Sequence, residues 1–164
     1  MNTHTHNVLF ICTGNSARSI MAEGILNTLG GGRFRAWSAG SQPKGVVHPM
    51  ALDVLAGLGM AQGDFRSKSW DEFARDDAPP LDFVFTVCDN AAGEVCPVWP
   101  GQPVTAHWGV HDPAAMEGDP ERQRQAFNNV AQILKRRIEL MLALPEQSLS
   151  ALSIQSQLNA IGKI

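Results

Sequence analysis

Short apolar segments alternate with stretches of helical periodicity along the 164 residues of the chain, and this alternation limits the possible folds most strongly. Four segments have the length and composition of buried strands: residues 7–11, 34–38, 81–87 and 103–108. Apolar residues recur at helical spacing over four further stretches: residues 19–29, 49–58, 69–74 and 120–144. Strands that alternate with helices pair in parallel through right-handed crossovers. We therefore predict an α/β fold, a single-domain three-layer α/β/α sandwich around a central four-stranded parallel sheet.

The last third of the chain is dominated by one long predicted helix. Asp119 is a good N-cap residue and Pro120 suits the first helical position, so the helix begins there. Pro145 ends it. We predict one domain over residues 1–145 and a C-terminal helical tail over residues 146–164, with a short helix within 149–161. The tail packs either on the domain or on a second copy of the chain, which leaves a monomer and a weak dimer open.

Composition excludes several classes of function. A net charge of -3 gives no electrostatic basis for binding nucleic acid or an anionic membrane. No apolar run approaches the ~18 residues that a membrane span needs, and the first residues do not resemble a signal peptide, so we expect a cytoplasmic protein. In that compartment three cysteines indicate thiol chemistry rather than a disulfide framework. His4 and His6, near the terminus, are too few to predict a metal site, and we expect none.

The loop after the first strand combines an anion site with a nucleophile. In parallel α/β sheets, ligands bind beyond the carboxyl ends of the strands, often at a helix N-terminus. A run of small residues there lets backbone N–H groups converge on one anion; it consists of Thr13, Gly14, Asn15, Ser16 and Ala17. Arg18 adds two parallel donors for an oxyanion. The same positive field favours the thiolate of Cys12 over its thiol. A buried strand-end cysteine and a solvated arginine are the alternative, which the strand, glycine and helix together disfavour.

Residues 12–19, CTGNSARS, resemble the Cys-(x)5-Arg-Ser phosphate loop of the low-molecular-weight protein tyrosine phosphatase superfamily, and most closely that of its arsenate reductase branch. The similarity extends to MAEG at residues 21–24, SAG at 38–40 and the stretch 84–114. It implies a low-molecular-weight phosphatase-like fold and an oxyanion site that includes Ser19. Ala17 stands where many relatives carry a second loop cysteine, so that cysteine has no role here.

Two Asp-Pro pairs compete for the role of general acid. Asp119 is better explained as a helix cap, which leaves Asp112 in the segment HWGVHDPAA. The resemblance agrees, since the matching aspartate of relatives protonates the leaving oxygen. Of its neighbours, we expect Trp108 to be packed in the core and His111 to lie at the rim of the site.

The other two cysteines, Cys88 and Cys96, lie in the segment TVCDNAAGEVCP. Cys88 ends the third predicted strand, and in a parallel sheet that position can lie at the same edge as Cys12. By composition alone the two thiols are equally two small core residues. The resemblance implies instead a disulfide relay through Cys12, Cys88 and Cys96. It needs no tightly bound cofactor but an external thiol reductant, either thioredoxin or glutathione with glutaredoxin.

The resemblance therefore implies reduction of arsenate, with phosphate or sulfate as competing oxyanions. A phosphatase acting on phosphoesters is the alternative, although the chain has no tyrosine, whereas the family's phosphatases commonly end the acid loop in Asp-Pro-Tyr. A non-catalytic oxyanion sensor is a third possibility, against which the intact Cys12, Arg18 and Asp112 argue. Two further matches, Glu23 and Ser38, correspond to a potassium site in some relatives, but Trp70 stands near the place of its acidic partner.

Overall fold

The computed structural model describes residues 5–88, 99–116, 118–150 and 153–164. Its four strands are β1 (His6–Cys12), β2 (Phe34–Gly40), β3 (Phe83–Thr86) and β4 (Val104–His107). They form one parallel sheet in the order β2-β1-β3-β4, so β1 is central and its carboxyl end lies between those of β2 and β3. The predicted α/β fold with a four-stranded parallel sheet is confirmed.

Five α-helices accompany the sheet in the described residues: α1 (Arg18–Leu29), α2 (Pro49–Gly57), α3 (Pro120–Leu142), α4 (Glu146–Leu149) and α5 (Ile154–Ile161). Two 3-10 helices, Trp70–Phe73 and Pro113–Ala115, lie between them. The long helix begins where the sequence predicts, because the Asp119 side chain accepts a hydrogen bond from the backbone N–H of Arg122. None of these helices combines the length and the apolar character that crossing a membrane requires.

Both faces of the central strand are covered. Val8, Leu9, Phe10 and Ile11 are consecutive and fully buried, and successive residues of a strand point to opposite faces. The apolar run NVLFI is thus the pattern of a strand buried on both sides. Helix α1 contacts β1 and β2 and packs against α3. The apolar face of α3, which includes Phe127, Val130 and Leu134, is buried as predicted.

The tail contains the predicted short helix within 149–161 as α5, and α4 is a further helix that the sequence does not predict. Helix α4 begins directly after Pro145, and α5 begins at Ile154. Of the alternatives left open, the contacts of α5 with β4 and α3 show packing on the same chain.

His6 is also misplaced by the sequence argument. It begins β1, its ring is buried, and its Nε2 contacts Glu146 at the start of the tail. It is therefore part of the packed fold and not of a terminus, because the first strand extends one residue further than its apolar run. Across the described residues, no three or more His, Cys, Asp or Glu side chains gather as a metal site would require.

Candidate active site

The backbone of the loop between β1 and α1 is fixed by the segment that follows β2. The carbonyl oxygens of Thr13, Gly14 and Ser16 accept hydrogen bonds of 2.9, 3.0 and 2.9 Å from the backbone N–H groups of residues 42, 44 and 48. Because these carbonyl oxygens already accept hydrogen bonds from the protein, they point away from the anion site and do not repel an incoming oxyanion. The loop is thereby preorganised to offer N–H groups at the start of α1.

Gly40 gives the SAG motif a physical reason. A Cβ atom at this position would lie 2.5 Å from the carbonyl oxygen of Thr13 and 2.9 Å from that of Cys12. Any side chain here would push against the first residues of the loop. The glycine lets β2 end directly beside the point where β1 turns into the loop.

Asn15 adopts the left-handed conformation that its residue type tolerates, with φ of 46°. Its Oδ1 accepts a hydrogen bond of 2.9 Å from the backbone N–H of Lys68, which fixes the orientation of the amide. Its Nδ2 therefore donates to Ser19 Oγ, at 2.8 Å. Ser19 Oγ lies 2.9 Å from Cys12 Sγ, within hydrogen-bond distance. This chain of contacts places a hydroxyl beside the sulfur, where it can donate a hydrogen bond to an attacking thiolate.

Arg18 and Asp112 meet at the same cavity. Nη1 of Arg18 donates to the carbonyl oxygen of Val110 at 3.1 Å, and Nη2 lies 3.8 Å from Asp112 Oδ2. The other carboxylate oxygen of Asp112 accepts from the backbone N–H of Ala114, which caps the short 3-10 helix. One oxygen of Asp112 is thus anchored and the other is directed to the arginine that would hold the oxyanion.

The cavity has a volume of about 380 Å³ and is open to solvent. Its lining consists of Cys12, Thr13, Gly14, Ser16, Ala17, Arg18, Gln42, Lys44, Asp112 and Ala114. The structure thus brings together the predicted nucleophile, arginine and acid. Gln42 and Lys44 also line the cavity and were not found from the sequence, because no spacing rule connects the segment after β2 with the loop after β1. No aromatic side chain lines it among the described residues.

Cys88 lies directly beside the loop, although β3 ends two residues before it. The backbone N–H of Thr13 donates to Cys88 Sγ at 3.3 Å. Thr13 is the neighbour of Cys12 in sequence, so the two thiols share one edge of the sheet, as the sequence predicts. Both are buried, and no disulfide joins them. The third predicted redox residue, Cys96, lies outside the described residues.

Glu23 and Ser38 form a buried polar cluster beneath the loop. The Ser38 hydroxyl donates to Glu23 Oε1, and the ammonium of Lys68 lies 4.0 Å from the same oxygen. Burial raises the pKa of Glu23 and lowers that of Lys68. The place beside this carboxylate already contains a cation of the chain itself, so these residues fit an internal ion pair better than a potassium site.

Two neighbours of the acid lie where the sequence predicts. Trp108 is fully buried against Phe10 and Phe85, and His111 is exposed near the rim. Trp70 is buried against Trp99 and provides no acidic group.

Comparison with known proteins agrees with this geometry. The family model of low molecular weight phosphotyrosine protein phosphatases matches residues 7–152. An arsenate reductase of Halalkalibacterium halodurans is 35% identical over 132 residues, which cover 80% of this chain and 91% of the relative. The chain therefore belongs to the low molecular weight phosphotyrosine protein phosphatase family.

Two solved structures show how far the likeness extends in three dimensions. An arsenate reductase in its phosphate-binding state is 30% identical, with a TM-score of 0.64 over 85% of this chain and 98% of its own. The thioredoxin-dependent arsenate reductase of Corynebacterium glutamicum is 28% identical, with a TM-score of 0.57 over 86% of this chain and 65% of its own.

Proposed function

We propose that this protein reduces arsenate to arsenite and transfers the oxidising equivalents to an external thiol. The observation that carries the proposal is the position of Cys88, whose sulfur accepts a hydrogen bond from the residue next to Cys12. A hydrolase needs only the nucleophile, the arginine and the acid. A second buried thiol at the nucleophile's edge of the sheet is suited to displacing the bound product from the Cys12 sulfur, a step that hydrolysis does not need.

The first step forms a sulfur–arsenic bond. Arsenate binds in the loop of residues 13–19 with Arg18 on its oxygens, and the Cys12 thiolate attacks arsenic(V). Asp112, in its protonated form, delivers a proton to the departing oxygen, which leaves as water. The resulting Cys12 adduct still contains arsenic(V), since no electrons have yet been transferred.

The second step reduces arsenic and the third regenerates the nucleophile. The Cys88 thiolate attacks the Cys12 sulfur, the sulfur–arsenic bond breaks, and its electron pair remains on arsenic as arsenite. Cys96 then attacks the sulfur of Cys88, which gives a disulfide between Cys88 and Cys96 and releases the Cys12 thiolate. Thioredoxin, or glutathione with glutaredoxin, reduces that disulfide, and the thioredoxin-dependent relative favours thioredoxin.

The side chains that line the cavity support a small inorganic oxyanion as substrate. A phosphotyrosine ring is bound well between aromatic or other flat apolar side chains, and the described lining provides polar, charged and small groups instead. Hydrolysis of phosphoesters by the same Cys12, Arg18 and Asp112 remains the alternative function, and we expect it as a slow side activity.

The test is steady-state production of arsenite from arsenate by the purified protein. Thioredoxin with its reductase and glutathione with glutaredoxin are supplied in separate reactions, with the Cys12→Ala variant as control. Arsenite formation with at least one system, and none with the variant, supports the proposal. Hydrolysis of an aryl phosphate without any arsenite formation would favour the phosphatase.

A further inference from the structure

The loop that carries Asp112 is hydrogen-bonded to the C-terminal tail. The backbone N–H of His107 donates to Asn159 Oδ1 at 3.1 Å, and the Trp108 indole N–H donates to the carbonyl oxygen of Leu158 at 2.9 Å. Both acceptors belong to α5. The tail thus holds the chain at the point where it leaves β4 and enters the acid loop, residues 107–112.

Gly162, just after α5, makes the closest approach between the two segments. A Cβ atom here would lie 2.3 Å from the carbonyl oxygen of His107 and 2.7 Å from Cδ1 of Trp108. Its φ of -65° is one that any residue adopts, so the requirement for glycine is one of space alone. The tail closes on the acid loop only because this position has no side chain.

Arg137 of α3 connects the tail and the acid loop from the other side. Its Nη1 donates to the carbonyl oxygens of Trp108 at 2.9 Å and Gly109 at 3.1 Å, and Nη2 donates to the backbone oxygen of Ile164 at 3.4 Å. The residue is 6% exposed, and its Nε has no hydrogen-bond partner. No carboxylate side chain of the described residues pairs with it. A buried guanidinium of this kind costs stability, so its benefit lies in the carbonyls that it holds.

The position of the acid loop is transmitted to the catalytic groups. Val110 is bonded through its N–H to the carbonyl oxygen of Val87, at 3.0 Å, and through its own carbonyl oxygen to Arg18, at 3.1 Å. A shift at Trp108 or Gly109 would therefore move both the backbone partner of Arg18 and the carboxylate of Asp112, two residues further along the chain.

We propose that Arg137 and the tail helix α5 form a brace that positions Asp112 over the oxyanion bound at Cys12, with Arg137 as a positioning residue. The inference rests on the proposed function only in taking Asp112 as the acid. The family model ends at residue 152, so α5 lies outside the part of the chain that the family shares. Arg137 lies within the matched residues, so the brace joins a residue inside the match to a helix beyond it.

The brace is tested with Gly162→Ala, which wedges the tail from the acid loop, and Gly57→Ala as the matched control. Gly57 ends α2, and a Cβ there would have no atom within 4 Å. With the Gly162 variant, we expect amide hydrogen exchange at Trp108 and Val110 to accelerate about tenfold, while exchange in β1 stays unchanged. We expect kcat for arsenate to fall about tenfold and KM to change less than kcat, because the acid belongs to the displaced loop, whereas Arg18 is affected only through its bond to Val110. The control should match the native protein in both measurements.

A second variant tests Arg137 itself through its coupling to the acid. Arg137→Lys keeps the charge but cannot bond the two carbonyls as a planar fork does, so kcat should fall in the native background and much less in the Asp112→Asn background. Equal losses in both backgrounds would mean that Arg137 acts on stability alone and would overturn the proposal.

The remaining outcomes also decide the matter. The brace would be overturned if Gly162→Ala behaved like Gly57→Ala. It would also be overturned if amide exchange accelerated throughout the sheet, or if exchange accelerated locally while kcat stayed unchanged. If the native protein does not reduce arsenate, the proposed function fails, and the exchange experiment still decides whether the tail holds the acid loop.

Discussion

The loop after β1 and the loop after β4 reach the same cavity, but they differ in where the side chains around their catalytic group come from. In the first, the side chains of Cys12, Asn15 and Ser19 contact one another within eight residues of sequence, and distant residues hold only the loop backbone and the Asn15 amide. In the second, the acid loop depends on Arg137 and on α5, the latter about fifty residues away. The side-chain partner of the nucleophile is therefore encoded locally, whereas the acid loop is held by side chains and a helix from distant parts of the chain.

This difference predicts how each region fails. A local motif loses its chemistry when one of its own side chains is changed, while the rest of the fold is retained. A loop held from a distance can be impaired from many sites, each with a smaller effect. The predictions below run from the largest expected effect to the smallest and test the two regions against each other.

Cys12→Ser should reduce both arsenate reduction and aryl phosphate hydrolysis to background. A serine hydroxyl is not ionised near neutral pH and cannot replace the thiolate, even though the loop around it is unchanged. Steady-state assays of both reactions measure the loss, and phosphate protection against thermal unfolding checks that the loop still binds an oxyanion. Substantial activity in either assay would remove the loop from its proposed role.

Arg18→Lys should lower kcat/KM for arsenate by about 10²–10³, although the charge is kept, because lysine cannot make two parallel contacts with one oxyanion. Inhibition by phosphate and sulfate should weaken in parallel. A suitable control is Arg35→Lys. Arg35 is exposed and stacks on Trp37, and neither residue lines the cavity. Near-native kinetics of the Arg18 variant would make this arginine merely structural.

Asp112→Asn should lower kcat for arsenate about 10²-fold, since an amide cannot deliver the proton. Asp119→Asn is the matched control, because asparagine caps a helix about as well as aspartate and kcat should change less than about twofold. Rapid-mixing measurement of the first turnover locates the loss at adduct formation. The reverse pattern would transfer the role of acid to Asp119.

The smallest effect is expected in the support beneath the phosphate loop, as a pH dependence of stability. Burial raises the pKa of Glu23 above its ordinary 4.5, which outweighs the opposing hydrogen bond from Ser38 and the charge of Lys68. The folded protein therefore binds this proton more tightly than the unfolded chain does. The contribution of Glu23 to stability is fully present below pH 4.5 and is lost as the pH rises through the raised pKa.

Glu72 provides the control of opposite sign. The hydrogen bond from Arg66 lowers its pKa, so its contribution is present above pH 4.5 and is lost as the pH falls through the lowered value. Urea unfolding of the native protein, Glu23→Gln and Glu72→Gln across this pH range measures both. For each variant, the difference in unfolding free energy between the native protein and the variant is plotted against pH. Slopes of the same sign in the two plots would contradict the account of the buried pair.

The same contrast explains what the sequence predicts. The first strand, the loop and its arginine follow from local pattern, because a buried strand, a run of small residues and a helix start are all visible within residues 7–29. The helix cap at Asp119 is equally local. The placement of Cys88 follows from the parallel sheet, which aligns the ends of β1 and β3.

The rest depends on contacts that no local pattern records. Arg137 fits the polar positions of a long helix in the sequence, and only the fold reveals that it is buried against the acid loop. Lys68 lies in a polar segment, yet its ammonium is buried beside Glu23, and its backbone N–H orients Asn15. Helix α4 does not follow from the sequence, because a helix of four residues depends on packing rather than on its own propensity.

The relay through Cys88 separates a reductase from a hydrolase most directly, and one turnover without external reductant tests it. The fully reduced protein is mixed with arsenate, arsenite is quantified, and the protein mass and disulfide are determined by mass spectrometry. The account predicts about one arsenite per chain with the loss of two hydrogens, and for Cys96→Ser a trapped disulfide between Cys12 and Cys88. Cys88→Ser should release no arsenite while still hydrolysing an aryl phosphate at a nearly native rate. Arsenite release by Cys88→Ser at the native level would contradict the account.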